Sequence, residues 1–327
     1  MATSVQSSTW TNADDVGFRA WGSAVSAGLA AVGLVKVLVT GAVDWATAVR
    51  GATASAAGVS WAFEVWRFDD ALQPTHPVFI KIEYGETGAS TVAQSLPALW
   101  VTVSRGVDGS GTPTNILAPR RPCQPSTANA SPASSRGSIE PIFVSSDGSS
   151  VALSPRVSSV AGGSQVHAPA FVVDRSRDSA GTPTSAGGVI LTEGSGILAT
   201  TATLSSTTAP AQMHAWTYAG GSWMGDVPAV CPSSVNGSPT GPSTSLAVGD
   251  KAPVFPLVVT VPNHEPWQVL AAVTVMAGDA ANGPFTANVL GRIRNYRSIP
   301  VSEAHNRWMS GTSALGYTGL CILWEED

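Results

Sequence analysis

Charge is scarce in this chain. Asp, Glu, Lys and Arg make up 12% of its 327 residues, against roughly 25% in an average globular protein. Lysine occurs at positions 36, 81 and 251 alone, and no basic run is longer than Arg120-Arg121. A nucleic-acid-binding face needs a positive stripe that displaces counterions. Arg292, Arg294 and Arg297 are too thinly spaced to provide one, so that class is set aside. Cysteine is also rare. Cys123, Cys231 and Cys321 lie far apart, with no CxxC and no Cys/His spacing for zinc, and read as buried free thiols.

Long hydrophobic runs are missing as well. The best candidate, "AWGSAVSAGLAAVGLV" over 20–35, follows Asp14-Asp15 rather than a basic segment and is closed by Lys36. That is short of the ~20 apolar residues a membrane span needs, so the expectation is a soluble protein with no membrane insertion. Phe18, Trp21, Val25, Leu29 and Val32 recur at helical spacing, and Thr11 with Asp14 three residues on resembles a capping box.

What the chain has in quantity is Gly (33), Pro (23), small hydroxyl residues and 11 tryptophans, within a 43% hydrophobic composition. After the helix the period changes to 2. In "VFIKIEYGE" Val78, Ile80, Ile82 and Tyr84 share one face, while Phe79, Lys81 and Glu83 share the other. With "VSWAFEVWRF" before it and "ALWVTVS" after it, residues 59–104 read as three antiparallel strands. The helix would cover one face, with Phe18 and Trp21 meeting the strand aromatics.

Residues 119–139 are rich in Pro, Ser and Ala and read as a linker. Beyond it come short β-branched or aromatic runs: "PIFV", "APAFVV", "GVILTEGSGILATTATL", "QMHAWTYAG", "FPLVVTV", "WQVLAAVTVMA", "NVLGRI" and "LCILW". Gly/Pro/Ser clusters separate them, among them a long surface loop over 231–245. The fold expected is mainly β (α+β). Residues 1–118 form a helix-plus-antiparallel-sheet unit, 119–139 the linker, and 140–327 a β-sandwich-like domain.

One segment is used twice. "RGVDGSGTPT" over 105–114 and "RSRDSAGTPT" over 175–184 share Arg, Asp and Gly-Thr-Pro-Thr at identical spacing, each directly after an apolar run. The turn reading pairs Arg105 with Asp108 and Arg175 with Asp178, lets Gly take a positive φ and lets Pro fix the next residue. The binding reading makes the two Asp loops calcium sites. Calcium wants six to eight oxygens. Each loop offers one carboxylate with an Arg beside it.

A search for chemistry finds no constellation. Ser195 in "EGSGI" lacks a full GxSxG, and Asp69-Asp70 on a strand would point to opposite faces. His264-Glu265 in "NHEPW" lacks HExxH, His76 and His305 are isolated, and neither a Walker loop nor a GxGxxG opening a helix occurs. The expectation is no enzyme, no cofactor and no metal. Trp216, Tyr218 and Trp223 in "WTYAGGSWMG" form the best local aromatic contact surface, with sugar stacking set against core or interface packing.

The phrases "FRAWGSAVSAGLAAVGLV", "VDWATA", "EVWRFDDALQPTHPVFIKIEYG" and "LWVTVSRGVDGSGT", with the later "FVVDRSRDSAGTPT" and "IPVSEAHNRWMSG", resemble structural proteins of the tail and baseplate of tailed bacteriophages. The resemblance is strongest over 15–115 and thinner over 185–290. It implies a non-enzymatic virion component located in the tail and, during assembly, in the host cytoplasm. Such a component forms a homo-oligomer and docks to other tail proteins. The alternatives it leaves are a module at the tail tip that binds a host surface glycan and a head-surface decoration protein.

Overall fold

Asp14 starts the helix. Its backbone is extended and its carboxylate accepts from the Gly17 N–H at 2.7 Å, satisfying one of the donors that a helix start leaves open. The cap is therefore Asp14 itself; Thr11, the other member of the capping box expected from the sequence, lies outside the described residues. The helix stops at a Schellman turn: Gly33 takes a φ of +88°, Gly33 N–H donates to Ala30 at 3.0 Å and Leu34 N–H to Leu29 at 3.2 Å. Between these ends Phe18, Trp21, Val25, Leu29 and Val32 form one buried stripe, as their spacing requires.

The computed structural model describes residues 2–10, 14–51, 59–86, 96–123, 135–137, 141–155, 157–160, 165–167, 170–178, 180–192, 211–217, 220–224, 254–259, 267–276, 284–289, 292–298 and 318–323. The first part comprises β1 (Ala2–Gln6), α1 (Asp15–Ala31), β2 (Val35–Val37), β3 (Val59–Arg67), β4 (Phe79–Glu86), β5 (Pro97–Val107) and β6 (Pro113–Cys123). Then follow β7 (Ser135–Gly137), β8 (Ile142–Ser146), β9 (Ser150–Pro155), β10 (Val157–Val160), β11 (Gln165–His167), β12 (Ala170–Arg177) and β13 (Pro183–Thr192). The last group is β14 (Ala211–Thr217), β15 (Gly220–Met224), β16 (Val254–Val259), β17 (Trp267–Met276), β18 (Pro284–Val289), β19 (Arg292–Ser298) and β20 (Thr318–Leu323).

The protein is mainly β, with the first helix on an antiparallel sheet and a sandwich-like β region after it. The first sheet is the meander β2-β3-β4-β5-β6. Its inward face carries Val78, Ile80, Ile82 and Tyr84, all buried, and the helix lies against it: Phe18 meets Trp61 edge-on at 5.5 Å and Trp21 meets Tyr84 at 6.0 Å. The second sheet has seven strands in the order β1-β8-β9-β12-β13-β14-β15. The third is β16-β17-β20-β19-β18, and β7, β10 and β11 form a small three-stranded one.

Burial shows how these layers stack. On β8, β9 and β12 the residues Ile142, Val144, Val151, Leu153, Phe171 and Val173 join the core shared with α1 and the first sheet. Their alternates Phe143, Ser145, Ala152, Ser154, Val172 and Asp174 are buried too, on the face where β17 packs against β9 and β12. Strands covered on both faces lose the polar alternation of a half-exposed sheet, which is why "PIFV" and "APAFVV" read as continuous apolar runs.

Of residues 119–139, expected as a linker, the structure describes 119–123 and 135–137. Positions 119–123 complete β6, paired with β5 as Val101↔Arg121, Trp100↔Pro122 and Leu99↔Cys123, and 135–137 form β7. A single hydrophobic cluster runs from Trp10 through Phe18, Tyr84 and Val103 to Phe171 and Trp216. The regions before and after 119–139 thus share one core, and β1 is an edge strand of the later sheet. The loop expected over 231–245 lies outside the described residues.

Candidate functional site

The twice-used segment forms two hairpin tips with the same hydrogen bonds. At the β5–β6 tip the Asp108 N–H donates to Thr112 O at 3.0 Å and Gly111 N–H to Asp108 O at 3.0 Å. At the β12–β13 tip Asp178 N–H donates to Thr182 O at 3.0 Å and Gly181 N–H to Asp178 O at 2.9 Å. Gly111 and Gly181 have φ of 76° and 84°, a conformation open to glycine at little cost, which accounts for the repeated Gly. Pro113 and Pro183 then open the return strands β6 and β13.

Each aspartate closes its own tip. Asp108 Oδ1 accepts from Ser110 N–H at 2.8 Å, Ser110 Oγ–H at 2.7 Å and Thr112 N–H at 2.9 Å. Asp178 Oδ1 accepts from Ala180 N–H at 2.9 Å and Thr182 N–H at 2.8 Å. The hydrogen bond from the Ser110 side chain, followed by that from the Thr112 backbone, holds the Asp108 carboxyl below its ordinary 3.8. These carboxylates face N–H and O–H donors, the reverse of the oxygen cage a calcium ion requires. Among the described residues there is no group of three or more His, Cys, Asp or Glu placed to hold a metal.

The expected Arg175–Asp178 pair is replaced by a longer-range one. Arg175, fully buried, gives Nε to Asp70 Oδ2 at 2.5 Å and Nη2 to Asp70 Oδ1 at 3.2 Å, with Phe68 under its guanidinium at 5.6 Å. Gln73 supports the arrangement: its Oε1 lies 3.4 Å from Arg175 Nη2 and its amide bonds both backbone groups of Val78. Arg175 therefore ties β12 to the β3–β4 connection. At the second tip Arg177 takes over the local role, donating to Gly181 O at 3.4 Å and to Asp147 Oδ2 at 2.6 Å. Val107 stands at that place in the first copy, whose tip is held instead by Thr40 N–H on Gly109 O at 2.7 Å.

A second polar knot was not foreseen. Glu64, on the inward face of β3, is completely buried and accepts from five donors. Ser26 (2.9 Å), Lys36 (2.5 Å) and Trp45 (2.9 Å) converge on Oε1, and Tyr84 (2.6 Å) and Trp66 (3.3 Å) on Oε2. It joins α1, β2, the 38–51 segment, β3 and β4. Burial first, and then the neighbouring Glu64 charge, push the Tyr84 hydroxyl well above its ordinary 10.0, so it remains a donor. Nearby Arg50 clamps Glu86 with Nε and Nη2 at 2.9 and 3.0 Å, lies over Trp61, and gives its backbone N–H to Asp15 at 2.8 Å. The sequence did carry a signal for this knot: Glu64 shares an inward face with Trp66, and a charge there demands partners.

The remaining candidates are dispersed. Asp69 pairs with Arg67 at 3.3 Å while Asp70 faces Arg175, so the two carboxylates serve different arginines. Trp216 is 2% exposed, so its ring offers no stacking platform at the surface. Trp223 pairs in β15 with His214, and Tyr218 lies outside the described residues, as do Ser195, His264, Glu265 and His305. His214 is buried where β14 packs on β6; burial, and then the Arg121 charge, hold its pKa below 6.5 against a hydrogen bond with the Leu117 backbone. Cys123 is buried at the end of β6.

The turn reading of the tips gives a direct expectation. Asp178→Ala should lower stability by about 1 kcal/mol, the usual loss when a capping carboxylate is removed from backbone N–H groups. Asp178→Asn, which keeps an oxygen at that position, should lose less. Urea unfolding reads both, and an alanine variant as stable as the parent would remove the aspartate from the turn's support.

Comparison of the chain with protein-family models, with curated proteins and with solved structures finds no match in any of the three.

Proposed function

We propose that this chain is a non-enzymatic structural subunit of a tailed-phage virion, placed in the tail at its baseplate or distal end. It assembles as a homo-oligomer and docks to other tail proteins. The observation that carries this reading is how the charged side chains are used. Glu64, Glu86, Arg175 and Arg177 each bridge segments distant in sequence, and the repeated Asp loops close on themselves. Such side chains hold a shape rather than await a substrate. The tail-protein phrases in the sequence supply the place where that shape is used.

Large β layers, neutral Ser/Thr surfaces and few charges suit a subunit that buries area against neighbours, and closed symmetric assemblies are the common outcome for such chains. Electron cryo-microscopy of intact particles tests the placement. Several copies of this fold around the tail axis, at its tip or baseplate, are expected. Density on the head, or complete tails lacking the chain, would overturn the reading.

A further inference from the structure

The edge of the seven-stranded sheet is built from two unequal partners. β8 is buried on both faces, with Ile142 and Val144 on the shared core and Phe143, Ser145 and Ser146 on the other side. The strand that covers its edge, β1, reads Ala-Thr-Ser-Val-Gln; only Ser4 in it is buried, and Val5 is 47% exposed. β1 is held by its backbone ladder, Ala2↔Ser146 to Gln6↔Ile142, with small or polar side chains beside it: Ala2 packs on the core and Gln6 lies against Gly28 of α1. A ladder of this kind has the same energy whichever chain supplies the strand.

The connection to the rest of the chain favours exchange. Ser7, Ser8 and Thr9 link β1 to Trp10, and Ser7 and Thr9 are exposed. Trp10 is 1% exposed and packed on Phe18 and Trp21 at 5.6 and 5.5 Å, so it stays with its own core. A light strand, a short polar hinge and a fixed aromatic pivot are the components that let one copy lend an element to another at low cost. An open β8 edge is also a hazard, because unpaired strands bordered by buried apolar residues recruit other chains.

We infer that in the assembled oligomer β1 is exchanged, residues 2–6 of each copy pairing with β8 of a second copy in the antiparallel register seen here within one chain. The inference rests on the reading that copies of this chain assemble, and deepens it by naming the contact. Exchange converts an internal ladder into a link between subunits without creating new surface. It makes separation of subunits require the loss of a β ladder, so exchanged copies part slowly.

Cysteine trapping in the assembled protein decides the matter. Chains with Thr3→Cys and chains with Ser145→Cys, carrying tags of different mass, are co-expressed, assembled and mildly oxidised, with each single variant alone as the control for the natural cysteines. Ala2→Cys with Ser146→Cys is a second pair should the first disturb packing. Exchange predicts a reducible dimer of the two differently tagged chains, well above either control. An oligomer shown by light scattering in which no mixed dimer forms, while a chain carrying both Thr3→Cys and Ser145→Cys closes on itself, would overturn the exchange and leave the assembly reading intact. A monomer at all concentrations would overturn both.

Discussion

Glu64→Ala should be among the most damaging single substitutions in this protein, lowering stability by about 3 to 5 kcal/mol, the range found when one partner of a buried ion pair is removed. The alanine leaves the Lys36 ammonium without its 2.5 Å partner and takes the acceptor from Ser26, Trp45, Trp66 and Tyr84 together. Lys36 is one-third exposed and can turn towards water, which places the loss mostly on the buried Trp and Tyr donors. Glu64→Gln keeps the shape and an acceptor oxygen, and should fall between parent and alanine. Urea unfolding followed by tryptophan fluorescence measures both, since Trp45 and Trp66 report on the knot itself. If the alanine variant unfolded within 1 kcal/mol of the parent, the five hydrogen bonds would not be acting as a unit.

The second large effect is expected at Asp70. Removing its carboxylate strands the fully buried Arg175 guanidinium, and Asp70→Ala should cost about 3 to 5 kcal/mol by the same physics. The neighbouring Asp69→Ala is the internal control: Asp69 is 68% exposed, its pair with Arg67 is screened by water, and its loss should be under about 1 kcal/mol. Adding Arg175→Met to Asp70→Ala should recover part of the stability, because an uncharged chain of similar length removes the stranded charge. Thermal unfolding of the four proteins is sufficient. Equal effects at Asp69 and Asp70 would mean that Arg175 finds another acceptor, and the tie between β12 and the β3–β4 connection would lose its importance.

These two positions also show what the sequence could and could not reveal. Period located α1 and β4, whose inward faces are buried, while β-branched and aromatic composition marked β3 and β5, the latter buried on both faces from Pro97 to Ser104. The apolar runs at 142–144 and 170–173 were legible as strands because they too are covered on both faces. β1 and β9 escaped: "ATSVQ" is an edge strand with little to bury, and "SVALSP" has only Val151 and Leu153 as large apolar residues. The ends of β6 were hidden by "PRRPC", whose prolines and arginines look like linker until pairing with β5 is seen.

The tips were half legible. Gly, Pro and the repeated Asp announced a turn, and local hydrogen bonding explains all three residue types. The arginine partner was beyond reach, because spacing within a loop says nothing of a residue 105 positions earlier: Arg175 meets Asp70 only after two sheets have stacked. The same holds for Trp216, whose place beneath the surface follows from the docking of β14 against β6 and not from its aromatic neighbours in sequence.

The pairing of residues 2–6 with 142–146 sets an order of events during synthesis. A ribosome making this chain releases β1 and α1 long before β8 exists, and loop closure across so many residues is slow. The meander β2 to β6, whose strands pair with sequence neighbours, can form first and hold α1 against its aromatic face. Until β8, β9 and β12 emerge, that meander carries an uncovered apolar surface, the kind of species chaperones guard. Sheet closure is therefore a late step, completed when β1 finds a β8 strand that emerges well after it.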